Sequence, residues 1–139
     1  MKLVEQHRSY DSIRFAPPAG TLEGMAWFYG GQTEARNAAV LVAELEGRVV
    51  GFAYLTYVEK DYLELAVYAA QLQDIYVDRA ARHSGAGNAL IDAAVKAAKE
   101  FGASKLLLSV AAKNSEAQSF FEQAGFETTM HEMMLVVGD

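Results

Sequence analysis

The sequence predicts an α/β fold in which helices flank a mixed β-sheet. Two β-rich runs joined by a short turn occupy residues 40–57, and a third β-prone stretch without proline covers residues 62–77. Apolar residues then recur at helical spacing in 88–101, and an apolar run at 105–110 and a second helical pattern at 114–124 follow. Strands followed by a β-α-β-α-β order are typical of a mixed sheet covered by helices.

The first 37 residues are less regular than the rest of the chain. Pro17-Pro18 interrupts any regular element, and a short helix is predicted over residues 21–29. No internal repeat, low-complexity tract or linker divides the sequence. We therefore expect a single domain over residues 1–139, with an abbreviated or divergent N-terminal part in 1–37.

The β-rich part begins with a hairpin. Val40–Leu45 and Arg48–Tyr57 are predicted as its two strands, and Glu46-Gly47 between them favours a tight turn. Tyr62–Val77 is predicted as the next long strand.

The second half alternates between helices and strands. Asn88–Phe101 is predicted as a helix, and the apolar run Lys105–Val110 suits a buried strand between helices. Asn114 is a candidate N-cap for a second helix, which Gly125 ends. Thr128–Val137 predicts a final strand or hairpin.

Composition excludes several classes of function. The chain has 139 residues, of which 52% are hydrophobic and 22% charged, as expected of a globular domain. The absence of cysteine excludes a disulfide framework and a thiol nucleophile, and we expect no metal site. A net charge of -6 argues against nucleic acid as a partner and is compatible with a cationic substrate. No apolar run reaches transmembrane length and no signal pattern is present, so we expect a cytoplasmic protein without membrane association.

A glycine-containing loop lies between the third β stretch and the first clear helix. At such a junction, backbone N–H groups and the partial positive charge of the helix can point at one phosphate group. The loop lacks the endings of the common nucleotide-binding motifs, so a tight turn before a helix is the alternative interpretation. It consists of Arg82, His83, Ser84, Gly85, Ala86 and Gly87.

The loop is followed by further motifs at characteristic separations. Val77-x4-Arg82-x2-Gly85-x-Gly87 precedes a helix and a short strand, and then comes Asn114-x2-Ala117-x2-Phe120-Phe121-x3-Gly125-Phe126. Together they resemble the GNAT superfamily of acyl-CoA N-acyltransferases, over roughly residues 39–137. The resemblance implies a mixed, mostly antiparallel sheet with a central splayed strand pair. His83 and Arg79 depart from the pattern, since the family usually has glycine and often has proline there.

The resemblance implies that acetyl-CoA, or another acyl-CoA, is the cofactor. Its pyrophosphate would bind the backbone of Arg82–Gly87, and its pantetheine arm would run along the strand that ends in Ile75, Tyr76 and Val77. Asn114 would lie near that arm, although a role as helix cap explains it equally well. Phe121 stands where the family frequently has a tyrosine as general acid.

The acid and base of the reaction are less clear than the cofactor. Members that resemble diamine acetyltransferases carry a glutamate where this chain has Gln73, which can only orient a water or the amine. Asp74 is the candidate base, with a solvated or salt-bridged carboxylate as the alternative, and Glu64 and His131 are weaker candidates. Alternatively positioning alone could suffice, with the oxyanion held by a backbone N–H of Ile75 or Tyr76.

The acceptor side is expected from the N-terminal segment, the hairpin and the last strands. Aromatic rings at Trp27, Phe28 and Tyr29 could attract a cation, and the methionines Met130, Met133 and Met134 could form an adaptable surface or pack in the core. Because the N-terminal part is short, the acceptor pocket could be open or completed by a second subunit, as in a homodimer.

These observations predict an N-acetyltransferase that moves an acetyl group from acetyl-CoA to a primary amine of a small molecule or peptide. The neutral residues Gln73 and Phe121 support an alternative, a non-catalytic GNAT-fold acyl-CoA-binding sensor or partner subunit.

Overall fold

The computed structural model describes residues 37–61 and 66–138. In chain order it contains the strands and helices β1 (Ala38–Leu45), β2 (Arg48–Asp61), β3 (Ala66–Val77), α1 (Ala86–Phe101), β4 (Lys105–Leu108) and α2 (Ser115–Gln123). The predicted order of strands and helices from the hairpin to the second helix is therefore confirmed. The predicted helix over residues 21–29 lies outside the described residues.

The described strands form one sheet in the order β1-β2-β3-β4. The first three strands are antiparallel, and β4 runs parallel to β3. The sheet is thus mixed and mostly antiparallel, as expected. The turn between β1 and β2 places Glu46 and Gly47 at φ 54° and 80°. Two consecutive left-handed residues are the mark of a type I′ hairpin, whose twist matches that of the flanking strands.

Strands β3 and β4 separate before β3 ends. Their last paired residues are Leu72 and Leu108, and β3 continues for five more residues to Val77. The separation coincides with an irregularity on the other side of β3, where Tyr54 faces Asp74 and Leu55 faces Leu72. Gln73 is therefore an extra residue, a β-bulge that increases the local twist. The predicted splayed strand pair is confirmed, and β4 lies at the edge of the described sheet.

The hydrophobic core lies between one face of the sheet and helix α1. Its buried residues come from alternate positions of β2 and β3 and from one side of α1, joined by Phe121 of α2. They are Ala53, Leu55, Ala70, Leu72, Leu90, Ile91, Ala94, Ala98 and Phe121. Helix α1 ends where Gly102 adopts φ 101° and donates its N–H to the last carbonyls, as the glycine predicted. No helix among the described residues is long and apolar enough to cross a membrane.

The prediction of a final strand or hairpin at Thr128–Val137 is wrong. Residues 126–138 form neither helix nor strand, and the side chains of Met133 and Val137 are each 91% exposed. The β propensity of a segment reflects its packing against neighbouring strands, and no described strand lies beside this one. Strand β4 is also shorter than predicted, since it ends at Leu108 and not at Val110.

Candidate functional site

The loop between β3 and α1 contains two residues with a left-handed backbone conformation. Its start is fixed by Asp78, whose N–H donates to the carbonyl of Val50 on β2 at 2.7 Å. A single 3-10 turn follows, after which His83 and Gly85 adopt left-handed conformations with φ 67° and 91°. Arg82, just before them, is extended with φ -66° and ψ 148°. A backbone with left-handed residues at every second position can turn neighbouring N–H groups to one side, as in an anion-binding nest, and we call the backbone of Arg82–Gly87 the nest.

Several amides of this loop are available to a ligand. Within the described part of the chain, the N–H groups of His83, Gly85 and Gly87 find no acceptor, whereas Ala89 already donates to the carbonyl of Gly85 at 3.0 Å. The first amides of a helix have no partner inside it, and its positive end favours a negative charge. The Ser84 hydroxyl donates to the carbonyl of Ala81 and accepts from Ala86 at 3.4 Å. The hydrogen bonds of Ser84 therefore fix the loop, while the amides of His83, Gly85 and Gly87 stay available to a ligand.

The two glycines of the loop serve different purposes. Gly85 needs its freedom for a φ of 91°, and a Cβ there would meet nothing within 4 Å. At Gly87 a Cβ would lie 3.1 Å from Cζ of Phe120. Gly87 therefore allows helix α2 to pack closely against the start of α1. The sequence motif contains both glycines, but only the structure separates the conformational role from the packing role.

Arg82 brings its charge to the end of β3. Its Nε donates to the carbonyl of Val77 at 3.1 Å, and the guanidinium carbon lies 5.9 Å from the centre of the Tyr76 ring. The side chain is half-buried. A positive group held in this way stands beside the nest and adds to its attraction for an anion.

The bulge places polar side chains on the face of the sheet opposite α1. Gln73 is exposed, and its Nε2 donates to Oγ1 of Thr56 on β2 at 2.9 Å. Asp74 is half-buried and lies directly across from Tyr54, which is only 5% exposed. Gln73, Asp74, Tyr54 and Thr56 are therefore brought together beside the point where β3 and β4 separate.

Tyr54 and Thr56 were not among the residues predicted from the sequence. Burial, and then the negative charge of Asp74, raise the pKa of Tyr54 above its usual value of 10.0. The Tyr54 hydroxyl therefore keeps its proton and can donate a hydrogen bond throughout the physiological range. Alternation along β2 was the available signal, since Ala53 and Leu55 face the core and their neighbours Tyr54 and Thr56 must face the other side.

The end of β3 divides its residues between the two faces. Ile75 and Val77 pack against the core, whereas Tyr76 is half-buried on the same face as Asp74. On the side where β4 has separated, the backbone of 73–77 has no strand among the described residues. Backbone groups of this kind need a partner, and an extended amide-containing ligand can supply one.

Asn114 lies just before α2 and Phe121 lies within it, and both residues stabilise the fold around this helix. Asn114 is 9% exposed, and its Oδ1 accepts the N–H of Ala117 at 3.1 Å, so the predicted N-cap is confirmed. Phe121 is 7% exposed and forms edge-to-face contacts with Phe120 and Phe126, at ring distances of 5.4 and 5.7 Å. Their contacts with a cofactor remain predictions.

The weaker candidate base His131 is not part of this cluster. His131 lies in the exposed C-terminal segment. Glu64 and the aromatic residues Trp27, Phe28 and Tyr29 lie outside the described residues.

Comparisons with known proteins agree with this geometry. Residues 5–126 match the model of the acetyltransferase (GNAT) family. YhfO of Bacillus subtilis, named as an uncharacterized N-acetyltransferase, is 30% identical over 134 residues, which cover 89% of each chain. A tetramutant of the BH1408 protein of Bacillus halodurans has the same fold, with a TM-score of 0.83 and 17% identity over 98% of this chain and 88% of that one. AAC(6')-Iy, solved with the bisubstrate analog CoA-S-monomethyl-acetylneamine, has a TM-score of 0.76 and 19% identity over 99% and 93%.

Proposed function

The chain belongs to the acetyltransferase (GNAT) family of enzymes, and from this premise we propose that it transfers an acetyl group from acetyl-CoA to a primary amine. The acceptor is a small molecule or a peptide. The observation that carries the proposal is the position of the nest, which lies at the end of β3, the strand from which β4 separates after Leu72. A phosphate-bearing head and an amide-bearing arm can be held at once by these two features.

We assign the binding of acetyl-CoA mainly to the backbone and less to side chains. The amides of His83, Gly85 and Gly87 would hold the pyrophosphate, with Arg82 supplying a nearby positive charge. The edge of residues 75–77, beside which the described part of the chain has no strand, would pair with the amides of pantetheine. The structure of AAC(6')-Iy, which has the same fold, contains a CoA-based bisubstrate analog and supports this assignment.

Acetyl transfer requires two things of the chain's own residues, a donor for the developing oxyanion and an acceptor for the proton of the amine. When bound, acetyl-CoA supplies a thioester, to whose carbonyl carbon the amine nitrogen bonds as the carbon–sulfur bond breaks. A backbone N–H of Ile75 or Tyr76 would hold the negative charge that develops on the carbonyl oxygen. Asp74 would take the proton that the amine loses, directly or through a water, and the departing thiolate would receive its proton from solvent.

The bulge would orient the incoming amine. Gln73 is fixed through Nε2 to Thr56, so its carbonyl oxygen can accept a hydrogen bond from the amine. Tyr54 lies next to Asp74 and keeps its proton, so it can orient that carboxylate by donating to it. Positioning of this kind can contribute a large part of the barrier reduction without a dedicated acid.

The second candidate function is an acyl-CoA sensor or partner subunit without turnover. Gln73 cannot take a proton, and Phe121 has none to give and is 7% exposed. These two observations favour it, since both positions that carry acid or base in related enzymes are neutral here.

Calorimetry and a thiol assay together test the two functions. We expect acetyl-CoA to bind in the micromolar range, with desulfo-CoA comparable and ATP much weaker. Turnover is followed with a thiol reagent against alkyl diamines, amino sugars and peptides with free N-termini. Because the chain has no cysteine, the reagent reports released CoA alone. Binding with turnover supports the enzyme, binding without turnover on any amine supports the sensor, and no binding rejects both.

A further inference from the structure

The segment that follows β4 forms the second wall of the opening at the splayed strand pair. Strands β3 and β4 are paired as far as Leu72 and Leu108, and beyond that point their backbones separate. On one side β3 continues to Val77, and on the other side residues 109–113 lead to helix α2. The width of the opening therefore depends on where residues 109–113 are held.

The side chain of Gln118, near the start of α2, holds this segment. Its Nε2 donates to the carbonyl of Ala111 at 3.0 Å and to the carbonyl of Ala112 at 2.8 Å. These two bonds use both hydrogens of the amide, which is the full donor capacity of a glutamine side chain. The carbonyl of Ala111 also accepts the N–H of Asn114 at 2.9 Å. Hydrogen bonds therefore tie the end of the segment to the helix.

Helix α2 is itself fixed by the core. Phe121 is 7% exposed and belongs to the core cluster. Phe120 lies so close to Gly87 that a Cβ there would stand 3.1 Å from its ring, and this contact joins α2 to the start of α1 and to the nest. A closely packed helix does not move without loss of these contacts. Gln118 therefore fixes the segment relative to the nest and to β3.

Apolar side chains close the narrow end of the opening. Leu72 is a core residue, and Leu108 and Ile75 pack against the same core. A donor with its pyrophosphate in the nest would extend along β3 towards this closed end, where the bulge and Asp74 lie. A longer acyl chain would then need more room between the two walls, because the side chains at the closed end are already packed.

We propose that Gln118 is a positioning residue that restricts the donor to short acyl groups, an inference that rests on the proposed function. A short acyl group fits between the walls as they stand. A longer one would displace residues 109–113 and break the hydrogen bonds of Gln118. Each bond of this kind changes an equilibrium constant by a factor of roughly 2 to 10, so the two together disfavour a long acyl chain by about fivefold or more.

The test replaces Gln118 by glutamate, with Gln123→Glu as the matched control. Glutamate has the same length but no N–H to donate, and its charge near the start of a helix is favourable, so α2 is not weakened. Gln123 is exposed at the other end of α2, where the same charge lies far along the helix from Ala111 and Ala112. Calorimetry measures the affinities for acetyl-CoA and hexanoyl-CoA, and their ratio cancels any general repulsion between the new charge and the phosphates.

We expect Gln118→Glu to shift this ratio by about fivefold or more towards hexanoyl-CoA, and Gln123→Glu to leave it within about twofold of the parent value. Gln118→Ala removes the same donors without adding a charge and should shift the ratio in the same direction. An unchanged ratio in both Gln118 variants, or an equal change in the control, overturns the inference while acetyl-CoA binding keeps the proposed function intact. A parent protein that binds neither acyl-CoA overturns both.

Discussion

Replacing Gly85 by glutamate, with glutamine as the matched control, tests whether the loop holds phosphate groups. A Cβ at this position meets nothing within 4 Å, so both side chains fit without collision. Both also place an L-residue at φ 91°, which costs roughly 1–2 kcal/mol of folding stability in either variant. Glutamate and glutamine differ only in the charge that they bring to the nest.

The size of the charge effect follows from Coulomb's law. A carboxylate about 5 Å from a phosphate charge is repelled by roughly 1 kcal/mol at the dielectric constant of water and about 3 kcal/mol at the value typical of a protein surface. We therefore expect Gly85→Glu to bind acetyl-CoA roughly 5- to 150-fold more weakly than Gly85→Gln. Added salt should reduce the difference, since a Debye length of about 3 Å at 1 M screens it.

Calorimetry with acetyl-CoA at low and high salt measures this difference, and thermal unfolding confirms that the two variants are equally stable. Equal affinity of the two variants would refute the assignment of Arg82–Gly87 to the phosphates. A difference that is independent of salt would also contradict it, because the effect would then arise from a changed fold of the loop and not from charge.

Three further predictions concern packing, capping and titration. Gly51→Ala should destabilise the protein far more than Gly87→Ala, because the new Cβ would stand 2.6 Å from a backbone oxygen of β3 in the first case and 3.1 Å from a movable ring in the second; urea unfolding of both variants checks the order. Asn114→Ala should cost about 0.5–2 kcal/mol through loss of the α2 cap, and Asn114→Ser should restore most of it; equal stability of the two would contradict the capping role. The pKa of Tyr54 is raised, so above pH 10.0 only the unfolded chain releases this proton and stability falls as pH rises. Tyr54→Phe should show a smaller loss of stability between neutral pH and pH 11, and an identical pH profile would show that the hydroxyl does not titrate as described.

Local chemistry made the strands, helices and loop predictable from sequence. Gly47 favours the hairpin between β1 and β2 because glycine readily adopts the φ of 80° that the turn requires, while Glu46 is an L-residue held at φ 54°. Asn114 specifies a helix start because its short side chain reaches the amide three residues later. The glycine loop was found for a similar reason, since Gly85 marks a left-handed position just before a helix.

Contacts between distant strands were beyond this kind of prediction. The bulge at Gln73 shifts the register by one residue, and nothing in the local sequence requires it. Register decides that Tyr54 faces Asp74 and that Thr56 binds Gln73, so these partners appear only in the folded sheet. The prediction of a strand at Thr128–Val137 failed for the same reason, because β propensity stabilises a strand only when another strand lies beside it.

The two neutral positions, Gln73 and Phe121, have unequal consequences for the proposed reaction. Phe121 is buried in a cluster of three aromatic rings, and a thiol of ordinary pKa near 8.5 leaves as a thiolate without help, so loss of an acid there costs little. An alkyl amine of pKa near 10.4 is mostly protonated at neutral pH and must lose a proton before it attacks. The missing base at Gln73 is therefore the main constraint on the proposed reaction. We propose that the Asp74 carboxylate, one residue further along the same bulge, takes the place of that base.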